Sequence, residues 1–83
     1  MRKILIGRSA CGGEEYDYYL LAEELKELSA ENYGVQITGR AHEETIRGIT
    51  FSQEGILALV QAMIRCAVTP VTARDVVEDW LAT

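Results

Sequence analysis

With 83 residues the chain holds material for one domain, enough to bury roughly 60–65% of the surface its unfolded form exposes. Its 48% hydrophobic and 25% charged residues, with a single proline, argue against disorder, linkers and repeats. A net charge of −5, from nine acidic against six basic residues in 1–50 and four against two in 51–83, disfavours any nonspecific grip on nucleic acid or anionic lipid.

The opening Met1-Arg2-Lys3-Ile4-Leu5-Ile6 imitates a signal peptide, but Gly7-Arg8-Ser9 end the apolar run short of the roughly 7–15 residues a leader core needs. No stretch reaches the ~18 apolar residues of a membrane span, so a soluble, cytoplasmic protein is expected. Residues 2–9 instead read as a strand around Ile4-Leu5-Ile6, closed by a turn through Cys11-Gly12-Gly13. The segment that follows is ambiguous. Tyr16, Tyr18, Leu20 and Ala22 alternate as on one face of a strand, whereas Tyr18, Leu21, Leu25 and Leu28 fit a helical stripe, so 16–28 is open to either reading. Two further strands are expected at 33–39, on Tyr33, Val35 and Ile37, and at 44–51, on Ile46, Ile49 and Phe51.

Ser52 is placed to cap a helix over 52–67 with the apolar stripe Ile56, Leu59, Val60, Met63, Ile64 and Ala67. Pro70 stops it. A second helix is expected over 72–82, with Thr72 as cap, Asp75 completing an imperfect capping box and Val71 stapled to Val76. Ala73, Val76, Val77, Trp80 and Leu81 form its buried stripe, Trp80 anchoring it against the sheet or the first helix, and Arg74 can pair with Glu78 one turn on. Three to four antiparallel strands, at about 2–9, 15–25, 33–39 and 44–51, followed by two helices define an α+β domain, with one face of the sheet free to meet water.

Val68-Thr69-Pro70-Val71-Thr72-Ala73-Arg74-Asp75-Val76-Val77-Glu78-Asp79-Trp80-Leu81 resembles the C-terminal signature of a small bacterial family of unknown function. Tyr16-Asp17-Tyr18-Tyr19-Leu20 and Tyr33-Gly34-Val35 are similar to that family's tyrosine-rich strand and the Tyr-Gly-hydrophobic strand after it. The resemblance covers most of 15–82 and implies a strand over 15–25, although the Ala-, Glu- and Leu-rich 22–31 departs from it. It carries no activity to transfer.

Motifs for chemistry are sparse. Gly7-Arg8-Ser9-Ala10-Cys11 lacks the second glycine of a nucleophile elbow, and the one histidine, His42, lies far along the chain in a turn-like stretch. Neither His42-Glu43-Glu44 nor the two distant cysteines provide a metal set, so no metal, cofactor or catalytic residue is expected. Cys11, beside two glycines and with Arg8 near in sequence to favour the thiolate, is a candidate reactive thiol, set against an ordinary turn cysteine. Cys66, ending an apolar helix, reads as a packing residue. The acidic second helix argues against a DNA-reading helix pair.

Two surfaces stand out for protein recognition: Arg74, Glu78 and Asp79 on the last helix, and Tyr16, Tyr18 and Tyr19, of which alternation sends Tyr19 to the face opposite the other two. The sequence therefore points to a non-enzymatic interaction or regulatory module that binds a protein partner or a second copy of itself, through a sheet edge, a tyrosine-bearing face or the acidic helix. The alternative is a small enzyme or ligand-binding domain whose site forms on oligomerisation. A pocket of convergent polar groups near Cys11 or His42 would favour the alternative.

Overall fold

In the computed structural model of the protein, which describes residues 1–82, the elements run β1 (Arg2–Cys11), β2 (Glu14–Leu25), β3 (Ala30–Thr38), β4 (Glu43–Thr50), α1 (Gln53–Arg65) and α2 (Ala73–Ala82). The strands form one antiparallel sheet in the order β1-β2-β3-β4. Both helices lie on one of its faces, α1 across all four strands and α2 against β4. This is the expected α+β architecture.

The ambiguous segment resolves as strand. Tyr16, Tyr18, Leu20 and Ala22 all enter the core from β2, a period of two that a helix cannot satisfy. The helix-favouring Ala22-Glu23-Glu24-Leu25 is held extended by pairing with Ala30–Tyr33, so β3 starts earlier than the sequence suggested. Only Lys26–Leu28 make a single 3₁₀ turn, closed by Ser29 in the left-handed conformation. Gly12 and Gly13, at φ 61° and 83°, form the two-residue turn between the paired Cys11 and Glu14, a backbone that suits glycine at both positions.

The core gathers these β2 residues with Tyr33, Val35 and Ile37 of β3, Ile46 and Ile49 of β4, Ile56, Leu59, Val60 and Met63 of α1, and Ala73 and Val77 of α2. Ile46 and Ile49 share a face at odd spacing because β4 bulges: Tyr33 faces Thr50 and Val35 faces Ile46, so one residue of β3 spans three of β4. Gly48, at φ 66°, sits in that bulge. Phe51, expected with the other two, is exposed.

Ser52 caps α1 as expected, its hydroxyl accepting from the Gly55 N–H at 2.9 Å. The α1 terminus closes with Ala67 at φ 50°, the Val68 N–H donating to Met63 and the Ala67 N–H to Ile64, the double bond pattern of a left-handed helix end. Cys66 is exposed there, not packed, because the stripe has by then rotated past it. At α2 the details differ from expectation. The Thr72 hydroxyl turns back to Thr69, Val71 is 76% exposed and makes no staple, and Leu81 is exposed. Arg74 pairs with Glu44 of β4 at 3.6 Å instead of Glu78, which ties α2 to the sheet. Trp80 is half-buried against the core, its ring beside Gly55 at the start of α1.

Candidate interaction surface

Pairing partners share a face of the sheet, which fixes where each candidate residue stands. Tyr16 and Tyr18 face the helices and are buried, so neither is available to a partner. Tyr18, 1% exposed, donates its one hydroxyl proton to the Val68 carbonyl at 2.8 Å, which makes Ser9 the donor in the 2.7 Å contact between the Ser9 and Tyr18 hydroxyls. One phenol thus joins β1, β2 and the connection between the helices. Tyr16 donates to the Glu14 carboxylate at 2.5 Å.

These environments have a measurable consequence. The hydrogen bond to Glu14, with burial and the carboxylate's charge, pushes the Tyr16 phenol up to about 12, and burial raises Tyr18 against the opposing effect of the Ser9 hydrogen bond. A folded-state value above the unfolded value of about 10 stabilises the fold fully below about pH 10. That stabilisation is lost as pH rises through about 12. Alkaline titration followed by tyrosinate absorbance should show a late-ionising fraction that shrinks in Tyr16→Phe, with unfolding midpoints lower at about pH 11 than at about pH 8. A titration in which Tyr16→Phe removes no late phase would contradict the assignment.

Tyr19 lies on the opposite, helix-free face. The Lys3 ammonium stands 4.4 Å from the centre of its ring, and Leu5 is its pairing partner across β1. Leu21 is buried on this face opposite Lys3, and polar pairs flank it: Arg8 with Asp17 at 2.8 Å, Arg47 with Glu23 at 2.6 Å, and Gln36 with Thr45 at 2.9 Å. Arg8 therefore points away from Cys11, which shares the helix-side face with its pairing partner Glu14. The Cys11 thiol is exposed. Glu78 and Asp79 are exposed on α2.

An open groove of about 510 Å³ runs between the β1–β2 and β3–β4 turns, lined by Arg8, Glu15, Asp17, Thr38 and Arg40 among others. Cys11 and His42 do not line it, and it pairs no nucleophile with a base. Among the described residues, no three His, Cys, Asp or Glu side chains converge as a metal set.

The two edges of the sheet differ. β4 carries the bulge at Gly48, the charged residues Glu43, Glu44 and Arg47, and α2 alongside it. β1 is ten residues long, and among the described residues nothing pairs with its outer side. Ile4 is 42% and Leu5 46% exposed, one on each face, and Met1 is exposed beside them. A strand edge with unpaired main-chain groups and uncovered apolar side chains is a template for another strand. The sequence did not reveal which strand would be outermost, and so did not single out Lys3, Ile4 or Leu5.

Fold and edge together define a small α+β domain built on a four-stranded antiparallel sheet, with the long β1 edge unpaired among the described residues. The chain belongs to DUF6514, a family of unknown function, whose description matches residues 1–83. No curated protein and no solved structure matches it.

Proposed function

We propose that this domain is a non-enzymatic interaction module of the bacterial cytoplasm that binds its partner along β1 by strand addition. The observation that carries this reading is the open ten-residue edge with Ile4 and Leu5 uncovered on opposite faces. Main-chain hydrogen bonds along such an edge supply affinity, and alternate side chains supply selectivity. Tyr19, next to Leu5 on the outer face, extends the contact surface. The two exposed, unpaired thiols fit a reducing compartment.

Leu5→Lys tests it. The side chain is about half exposed, so the fold should survive, while a charge replaces an apolar contact in the seam. Used as bait in an extract of the native host, the parent should retain a partner that Leu5→Lys loses, at equal bait levels and unchanged circular dichroism. A Glu78→Lys, Asp79→Lys double variant, altered beside the opposite edge, should retain it. Loss in the double variant with retention in Leu5→Lys would move the contact to α2 and contradict the edge reading.

A further inference from the structure

The charge of the open edge is unlike that of the rest of the molecule. Arg2, Lys3 and Arg8 all fall within β1, which has no acidic residue, while the remaining residues carry five basic against thirteen acidic groups. Lys3, Leu5 and Arg8 project from the outer face in that order, as their partners Leu21, Tyr19 and Asp17 show. The step from Leu5 to Arg8 keeps to one face because Ile6 is an extra residue, with Leu5 paired to Tyr19 and Gly7 to Tyr18. Arg8 engages Asp17 through Nε at 2.8 Å, and its side chain remains two-thirds exposed, so the guanidinium, with its five N–H donors, is within reach of a second acceptor.

Resting on the strand-addition reading, we infer that the occupant of β1 is an extended segment with acidic, apolar and acidic side chains in succession on one face. Carboxylates then meet Lys3 and Arg8, and the apolar residue covers Leu5 beside Tyr19. A second copy is disfavoured by the same charges. Two β1 strands would bring three cations each to one seam with no acidic residue of either strand between them, and like charges juxtaposed across an interface are repulsive. Arg2, on the other face, is held at 2.6 Å by Glu31 across β2, which leaves Lys3 and Arg8 as the cations offered to an occupant on the outer face.

The probe is a short, labelled synthetic peptide with Glu, Val and Glu at every second position and Thr between them, so that all three share one face of a strand. It is compared by fluorescence anisotropy with its Lys–Val counterpart, in which Lys replaces each Glu. The Glu–Val peptide should bind at least about tenfold more tightly, and its affinity should fall about tenfold between about 50 and about 500 mM salt. Lys3→Glu should remove most of that preference, and Lys3→Glu with Arg8→Glu should reverse it. Equal binding of the two peptides, both abolished by Leu5→Lys, would overturn the acidic-partner inference and leave the edge reading standing. A dimer in sedimentation velocity that Leu5→Lys dissolves would overturn it in favour of self-pairing. Binding of neither peptide would also overturn it, while the extract experiment judges the edge independently.

Discussion

Gly34→Ala should destabilise the domain by about 3 kcal/mol or more, a large share of the about 4–12 kcal/mol available to a chain of this length. A Cβ on Gly34 would stand 2.3 Å from the Ile46 carbonyl oxygen and 2.9 Å from the Arg47 Cα. Both are backbone atoms, so no side-chain rotation relieves the clash. Relief requires β4 to move away from β3, and β4 is the strand that brings Ile46 and Ile49 into the core and meets α2. Gly12→Ala is the matched control. Gly12 has φ 61° with nothing near its missing Cβ, so alanine there adds only backbone strain of about 1 kcal/mol. Urea unfolding should therefore separate the two variants widely. Equal midpoints would show that the close approach of β3 and β4 at the bulge does not govern stability.

Tyr18→Ala should be comparably severe. It removes an aromatic ring that is almost wholly buried between the sheet and the helices, at a cost of about 3–5 kcal/mol for a truncation of this kind. It also leaves the Val68 carbonyl and the Ser9 hydroxyl without their shared partner. Tyr18→Phe separates the two contributions, since it retains the ring and deletes only the hydroxyl. A loss of about 1–3 kcal/mol is expected from the unpaired groups alone. Because Val68 lies between α1 and α2, that loss should be accompanied by faster amide exchange in the connection and the first turn of α2. Tyr18→Phe indistinguishable from the parent in both respects would show that the hydroxyl does not fasten the helix connection.

What the sequence made legible was the order and kind of elements, because their signals are local. Alternation at Tyr33, Val35 and Ile37 and the Ser52 cap are each written within a few residues and stand where they were expected, whereas α1 ends at Arg65 on the left-handed Ala67, ahead of the Pro70 expected to stop it. Less legible was whatever depends on a distant partner. The 16–28 segment divided between two periods until pairing with β3 chose the strand. The bulge that sets Ile46 and Ile49 on one face depends on the approach of Gly34. Arg74 found Glu44 on another element instead of Glu78 on its own.

The candidate surface was legible only in part. Alternation placed Tyr19 opposite Tyr16 and Tyr18, and the structure buries the latter two. Strand order, and with it the identity of the open edge, is a property of the whole sheet. One signal was nonetheless present. Three cations and no acidic residue in the first eleven positions of an acidic chain mark β1 as a separate electrostatic surface, but counting charge by halves of the chain averaged it away.

The most direct test of the account follows amide exchange along β1 with and without the Glu–Val peptide. Free β1 should show its outward-facing amides exchanging rapidly, since no strand among the described residues pairs with that side, while the amides paired to β2 stay protected. Addition of the peptide should slow alternate amides between Arg2 and Cys11, the signature of a strand laid along the edge, and leave α2 unchanged. Protection that appears on α2 or in the groove at Arg40, with β1 unaltered, would contradict binding through the open strand.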